Sequence, residues 1–224
     1  MMPTLALKNV NKTFGHGTNE VQVLTGVNFE AVAGEVSLVI GPSGSGKSTF
    51  LTIAGGIQTP TSGEVLVEDR SLLALSGKAR DAFRLNQIGF ILQAYNLVPY
   101  LTVADQFTLV DRVKKQGNLS TTELATLLEQ LGIAELTQQY PGELSGGQTQ
   151  RVAIARALYQ NPEIILADEP TAALDSDRVK VVGSLLHDLA KQHHKAIVVV
   201  THDLRLQEFA DKTYKIMDGR MTLS

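Results

Sequence analysis

The stretch Gly41-Pro42-Ser43-Gly44-Ser45-Gly46-Lys47-Ser48 has the residue types and spacing of a phosphate-binding loop: Gly, four residues, then Gly-Lys-Ser. Glycine admits the dihedrals that curl successive N–H groups inward and leaves room for a phosphate chain. Lys47 adds a point charge for β- and γ-phosphates, and the Ser48 hydroxyl is a Mg²⁺ ligand. The sequence predicts a helix over Thr49 to Ala54, whose free N-terminal N–H groups face the phosphates. A buried strand is predicted just before the loop, Glu35 to Ile40. A Gly/Ser-rich surface loop would not call for that strand–loop–helix setting.

Three further groups carry chemistry. Ile164-Ile165-Leu166-Ala167-Asp168-Glu169 is an apolar strand ending in two carboxylates. Asp168 is placed to hold Mg²⁺, directly or through water, and Glu169 to orient or deprotonate a water. The plainer alternative is a pair of solvated acids. Ile197 to Thr201 is a second buried strand with His202-Asp203 at its carboxyl end, the edge where ligands gather in open α/β sheets. His202 is therefore a candidate contact to the terminal phosphate. Leu144-Ser145-Gly146-Gly147-Gln148 precedes a helix over Arg151 to Gln160. Ser145 with Gln148 is a capping-box pattern, and the paired glycines leave N–H groups bare, as an anion site requires. Spacing alone also allows an ordinary capped helix. Phe14 either stacks on a nucleobase or is a strand-end core residue. His16, His187, His193 and His194 read as solvated loop or helix positions rather than ligands.

The elements that must position these groups are legible along the chain. Residues 4–10 and 21–30, Val65 to Val67 and Ile88 to Gln93 read as strands, and residues 77–86 and 103–115 as helices. Ser120-Thr121-Thr122-Glu123 is a capping box before Leu124, Leu127, Leu128 and Leu131 at helical spacing, and Gly132 is a stop. Val179, Val182, Leu185, Leu186 and Leu189 line one helix face, and Asp218-Gly219 turns a terminal hairpin. The 224 residues, 43% hydrophobic, suit one α/β domain with an inserted lobe. The core is expected over 1–93 and 161–224, with a mostly helical lobe at about 94–160 between them.

Net charge is −3, which makes no whole-chain case for nucleic acid or an anionic membrane. There is no cysteine, so disulfides, thiolate metal sites and cysteine nucleophiles are excluded. Met1 to Lys8 lacks a basic-then-apolar signal pattern, and no apolar run approaches the roughly 20 residues that span a bilayer. A place at a membrane would then come through another chain.

Taken together these motifs resemble the nucleotide-binding subunit of an ATP-binding cassette (ABC) transporter, over essentially the whole chain. Leu144 to Gln148 matches the signature motif of that family and precedes Asp168 in the expected order. The resemblance implies an α/β P-loop fold of ABC ATPase type, one nucleotide-binding domain over 1–224. Its central sheet would be mainly parallel, with an antiparallel β subdomain and the inserted helical lobe. It implies ATP and Mg²⁺ as ligands, held by Gly41, Pro42, Ser43, Gly44, Ser45, Gly46, Lys47, Ser48 and Thr49. By the same resemblance Gln93 is a metal ligand beside Ser48 and Asp168. Glu169 is the catalytic base, His202 the switch histidine and Asp175 the aspartate of the loop after the acids. Ser145, Gly146, Gly147 and Gln148 would close on ATP held by a second copy, bound head to tail, and Phe14 would stack on the adenine. Thr149 stands where Gln or Glu is more usual, with little effect expected.

Within the family, Ile88 to Gln93, Leu97 to Val103 and Ala167 to Asp175 look most like ATPases with MacB-type membrane partners, those of bacterial haem-efflux pumps of the HrtA type among them. That likeness implies ATP-driven export from the cytoplasmic face of a bacterial membrane. The permease would dock near Ala94–Leu101. Two other readings compete: an ATP switch in a signalling or cell-wall-regulating complex that moves no cargo, and a soluble ABC ATPase acting on DNA or ribosomes.

Overall fold

A computed structural model describes residues 2–224. Ten strands and six helices follow in the order β1 (Leu5–Phe14), β2 (Val21–Ala31), β3 (Val36–Ile40), α1 (Lys47–Ala54), β4 (Ser62–Val67), β5 (Arg70–Ser71), α2 (Gly77–Gln87), β6 (Ile88–Ile91), α3 (Val103–Val113), α4 (Thr121–Gln130), α5 (Gly146–Tyr159), β7 (Ile164–Asp168), α6 (Ser176–His193), β8 (Ala196–Thr201), β9 (Lys212–Met217) and β10 (Arg220–Leu223). They form two sheets. One is four-stranded and antiparallel, in the order β2-β1-β4-β5; the other is six-stranded, in the order β10-β9-β3-β8-β7-β6. In the larger sheet every pairing is parallel except that of β10 with β9.

Every residue of β7 and β8 is buried. They read as continuous apolar runs because both faces of the sheet are covered. Successive side chains then enter different cores. Ile165 and Ala167 pack with α3, α4, α5 and α6, whereas Ile164 and Leu166 pack with α1 and the antiparallel sheet. Phe29 of the small sheet meets Phe50 of α1 edge-on and lies against Tyr214 of β9, which locks the two sheets together.

Helix starts follow their caps. Ser120 accepts from Glu123 N–H while the Glu123 carboxylate accepts from Ser120 N–H, the expected box. Gly132 ends that segment with φ +62°. Two helices begin earlier than the apolar periodicity suggests: α1 at Lys47 and α5 at Gly146, each on its glycine loop. The reason is local, since Ser145 caps the glycine turn itself. Asp218 and Gly219 both have positive φ and turn β9 into β10, as the hairpin needs. The expected strand over 4–10 runs on to Phe14, pairing with Val21.

Candidate active site

Three parallel strands deliver the chemistry to one edge. β3 ends at Ile40 opposite Thr201, and Asp168 of β7 lies opposite Val200 of β8. The loop after β3, the acids ending β7 and the histidine after β8 therefore share the carboxyl edge of the sheet. They line one cavity of about 490 Å³, whose wall includes Ser43, Gly44, Lys47, Asp168, Glu169 and His202. Gly46, Ser48, Thr49 and Gln93 also face it.

The loop is shaped for a polyanion. Gly44 and Gly46 have φ +79° and +99°, a region closed to most side chains. At Gly41 an added Cβ would lie 2.2 Å from the Ile216 carbonyl oxygen. Gly46 caps α1 without a side-chain hydrogen bond, so the first N–H groups of the helix are left for a ligand. The Lys47 ammonium donates to the carbonyls of Gly41 (2.8 Å) and Pro42 (2.9 Å), which leaves one of its three donors. The Ser45 hydroxyl is buried without a partner.

Asp168 is buried, and that burial pushes its carboxyl above the usual range, against the opposing pull of a Ser48 hydrogen bond and the Lys47 charge. Among the described residues no cluster of three or more His, Cys, Asp or Glu forms a metal cage. A hydroxyl, an amide and one carboxylate suit Mg²⁺, which keeps water and phosphate oxygens in its shell.

Glu169 has φ +49°, the left-handed region, at a cost of roughly 1–3 kcal/mol. Its surroundings over-determine it. The backbone N–H donates to the Val200 carbonyl (2.9 Å). Its carboxylate accepts from the Thr201 hydroxyl (2.7 Å) and from the His202 N–H (3.2 Å). The His202 ring Nδ1 is 2.8 Å from the same carboxylate, while the ring is largely exposed at the cavity mouth. Two solvated acids would show none of this. Asp203, next along, accepts from Thr171 (3.1 Å) and Arg205 (2.8 Å), tying the histidine loop to the loop after the acids.

Other expected site residues stand apart from this cavity. Ser145, Gly146, Gly147 and Gln148 start α5 away from its walls, with the capping box closed at 3.3 and 2.8 Å. The Thr149 hydroxyl donates to the Ser145 carbonyl (2.9 Å) and reinforces that turn. Asp175 caps α6, accepting from Arg178 N–H at 2.9 Å. Phe14 is 40% exposed, with Lys12 4.9 Å over its ring, so it is not a core residue. His187 is not a solvated position: its Nδ1 lies 3.2 Å from the Phe209 carbonyl in a half-buried contact. Val23 of β2, which lines the cavity, and Thr201, which donates to Glu169, are not among the expected site residues. Nothing in a half-buried strand valine announces its place at the cavity.

The fold and this site define a P-loop ATPase of the cassette kind. The family model described as ABC transporter matches residues 24–172. The chain belongs to the ABC transporter family, as an ATP-binding subunit and ATPase. It is 45% identical over 221 residues to HrtA of Staphylococcus aureus (strain N315), a protein named for hemin import ATP binding, covering 97% of this chain and 99% of that one. HrtA of strain MRSA252 is 44% identical over 219 residues, with the same coverage. Among solved structures, the dimeric bacterial ABC transporter cassette MJ0796 is 39% identical with a TM-score of 0.89, covering 96% of this chain and 95% of that one. The same cassette in a dimeric post-hydrolysis state with ADP and Pi is 40% identical with a TM-score of 0.88, covering 98% and 97%.

Proposed function

We propose that this chain is the motor of a MacB-type ABC exporter of haem, working as a head-to-tail pair that closes on two ATP molecules. The observation that carries the motor role is Glu169, held in a strained conformation by Thr201 and His202 beside the phosphate loop. Haem as cargo rests on the likeness to the HrtA proteins. Their name assigns import; export comes to this chain only through its likeness to the MacB-type branch.

In this mechanism Lys47 and the N–H groups of the phosphate loop neutralise the β- and γ-phosphates, and Phe14 stacks on the adenine. Bound Mg²⁺ would offset phosphate charge, with Ser48, Asp168 and Gln93 the residues to hold it. The Glu169 carboxylate takes a proton from a water as that water's oxygen attacks the γ-phosphorus. The bond to the bridging oxygen breaks, and ADP and phosphate result. His202, hydrogen-bonded to Glu169, reaches the γ-phosphate. The α5 start of the second copy, Ser145 to Gln148, closes the open side, and Asp175 approaches the junction. Closure excludes water and strengthens each of these charge interactions.

The permease would dock beside Ala94–Leu101 on the cytoplasmic face of the membrane. That stretch is less free than its apolarity suggests. Leu97 packs on the core, and the buried Gln106 amide holds the backbone of Val98 and Leu101. Tyr100 is 77% exposed, and a groove of about 770 Å³ lined by Ile57, Phe90, Leu92, Leu109 and Val113 adjoins the stretch through Gln106 and Arg156, which hydrogen-bond its backbone. Among the described residues no helix is long and apolar enough to cross a membrane.

Capture of tagged Glu169→Gln chain from solubilised native membranes with ATP and Mg²⁺ tests this reading. It should bring down a permease with few membrane spans and a large extracytoplasmic domain. Ribosomes, DNA or no partner would contradict it. ATP-driven uptake of hemin into inside-out vesicles holding the pair supports export, uptake into right-side-out vesicles supports import, and uptake into neither removes the cargo assignment.

A further inference from the structure

Gln150 lies one turn into α5 and is 1% exposed. A buried primary amide must have its donors and acceptor met. Gln150 meets them on one loop. Its Nε2 donates to the Glu169 carbonyl (3.2 Å), and its Oε1 accepts from the Ala173 N–H (3.2 Å). It thus serves both peptide groups as a neighbouring strand would, across a loop with no regular partner. The Glu169 carbonyl it holds belongs to the residue with φ +49°, whose peptide orientation aims the carboxylate at the cavity.

The same loop presses on the α5 start. A Cβ added at Gly147 would lie 3.3 Å from the Ala173 carbonyl oxygen and 3.3 Å from the Leu174 side chain. The first turn of α5 and the segment Glu169–Leu174 are therefore joined through Gln150 and this close approach.

We propose that Gln150 is a positioning residue for hydrolysis: it fixes the strained peptide that aims Glu169 and couples that aim to the helix start facing the other copy's ATP. The coupling half of this statement rests on the shared-site reading above. By it, a nucleotide bound at one site sets, through Ser145–Gln150, the aim of the base at the other. That makes hydrolysis at each site depend on occupancy of its twin.

Gln150→Met keeps the volume and removes both bonds; Gln150→Glu keeps an acceptor for Ala173 N–H and removes the donor to Glu169. Each full-length variant is expected to lose about tenfold or more in kcat, with KM for ATP within about twofold and a melting transition that stays cooperative but falls, since each leaves a buried peptide group unpaired. In a Glu169→Gln background, ATP-dependent dimerisation should need the same ATP concentration with and without Gln150→Met. A folded variant that hydrolyses at the parental rate overturns the proposal. So does a loss confined to KM and dimerisation, or collapse of both melting transitions, since either makes Gln150 a support for the helix alone. If the Glu169→Gln parent itself stays monomeric with ATP, the shared-site reading fails, while the kcat against KM split still decides whether Gln150 acts on Glu169.

Discussion

Asp168 and Asp203 face opposite physical problems. Asp168 is buried, and burial holds its carboxyl above the usual range. A raised acid pKa means that the folded state binds its proton more readily than the unfolded one. Its charged form therefore opposes folding above the folded pKa, and the penalty fades as pH falls. Asp168→Asn should consequently raise the melting temperature at pH 7, on a scale of about 2–4 °C per kcal/mol, while Mg²⁺-dependent hydrolysis is lost. A lower melting temperature would show that the Ser48 hydrogen bond outweighs the burial. Asp203 runs the other way. Arg205 hydrogen-bonds to its carboxylate and holds it below the usual range despite burial. Its contribution is present above the ordinary carboxylate pKa and is lost as pH falls through the folded value. The stability gap between the parent and Asp203→Asn should be open at pH 7 and close as pH falls below the ordinary carboxylate range in urea titrations. Of these residues, the acids and His202 were legible because each ends an apolar run. Gln150 was not: a glutamine inside a helix carries no sign of which loop its amide will meet. The stacking role expected of Phe14 rests on its exposure, which depends on how far β1 runs past residue 10.

At the scale of elements, two helix starts are built for different tasks. α1 begins on uncapped glycine and leaves its first N–H groups open to an anion. An alanine at Gly46 would put Cβ 2.9 Å from the Leu24 side chain and 3.0 Å from the Val23 carbonyl oxygen, at φ +99°. Gly46→Ala should lose ATP binding by at least about tenfold in a fluorescent-nucleotide titration; retained affinity would mean that the loop does not carry the phosphates. α5 begins on a closed capping box and keeps its own structure. Ser145→Ala should cost about 1 kcal/mol of stability in urea unfolding. In the proposed shared site, where the hydroxyl would also face nucleotide, it should lower hydrolysis further than that loss accounts for. An activity that only tracks stability would leave Ser145 as a cap and nothing more. The capping boxes at Ser120 and Ser145 were readable as sequence because a cap is a local interaction. The true start of α5 at Gly146 was not readable from hydrophobic spacing, since glycines add nothing to a periodicity.

Across the whole molecule, the parallel order of β3, β8 and β7 turns three separate motifs into one cavity. Their apolar runs predicted strands, and the phosphate loop predicted a carboxyl-edge site. The register that sets Asp168 against Val200 and Ile40 against Thr201 comes only from packing. Val23 shows the same limit, since it reaches the cavity because the antiparallel sheet packs against α1. Ser145–Gln148 stands outside this chain's own cavity. In the proposed head-to-tail pair a single chain would present one open half-site and, elsewhere on its surface, the cap for another. The measurement that tests this account most directly is sedimentation velocity of the Glu169→Gln chain with and without ATP and Mg²⁺, paired with its hydrolysis rate. The account predicts a monomer that becomes a stable dimer only with ATP, with hydrolysis lowered by about 10² or more. A chain that stays monomeric at saturating ATP, or that hydrolyses at the parental rate, would contradict it.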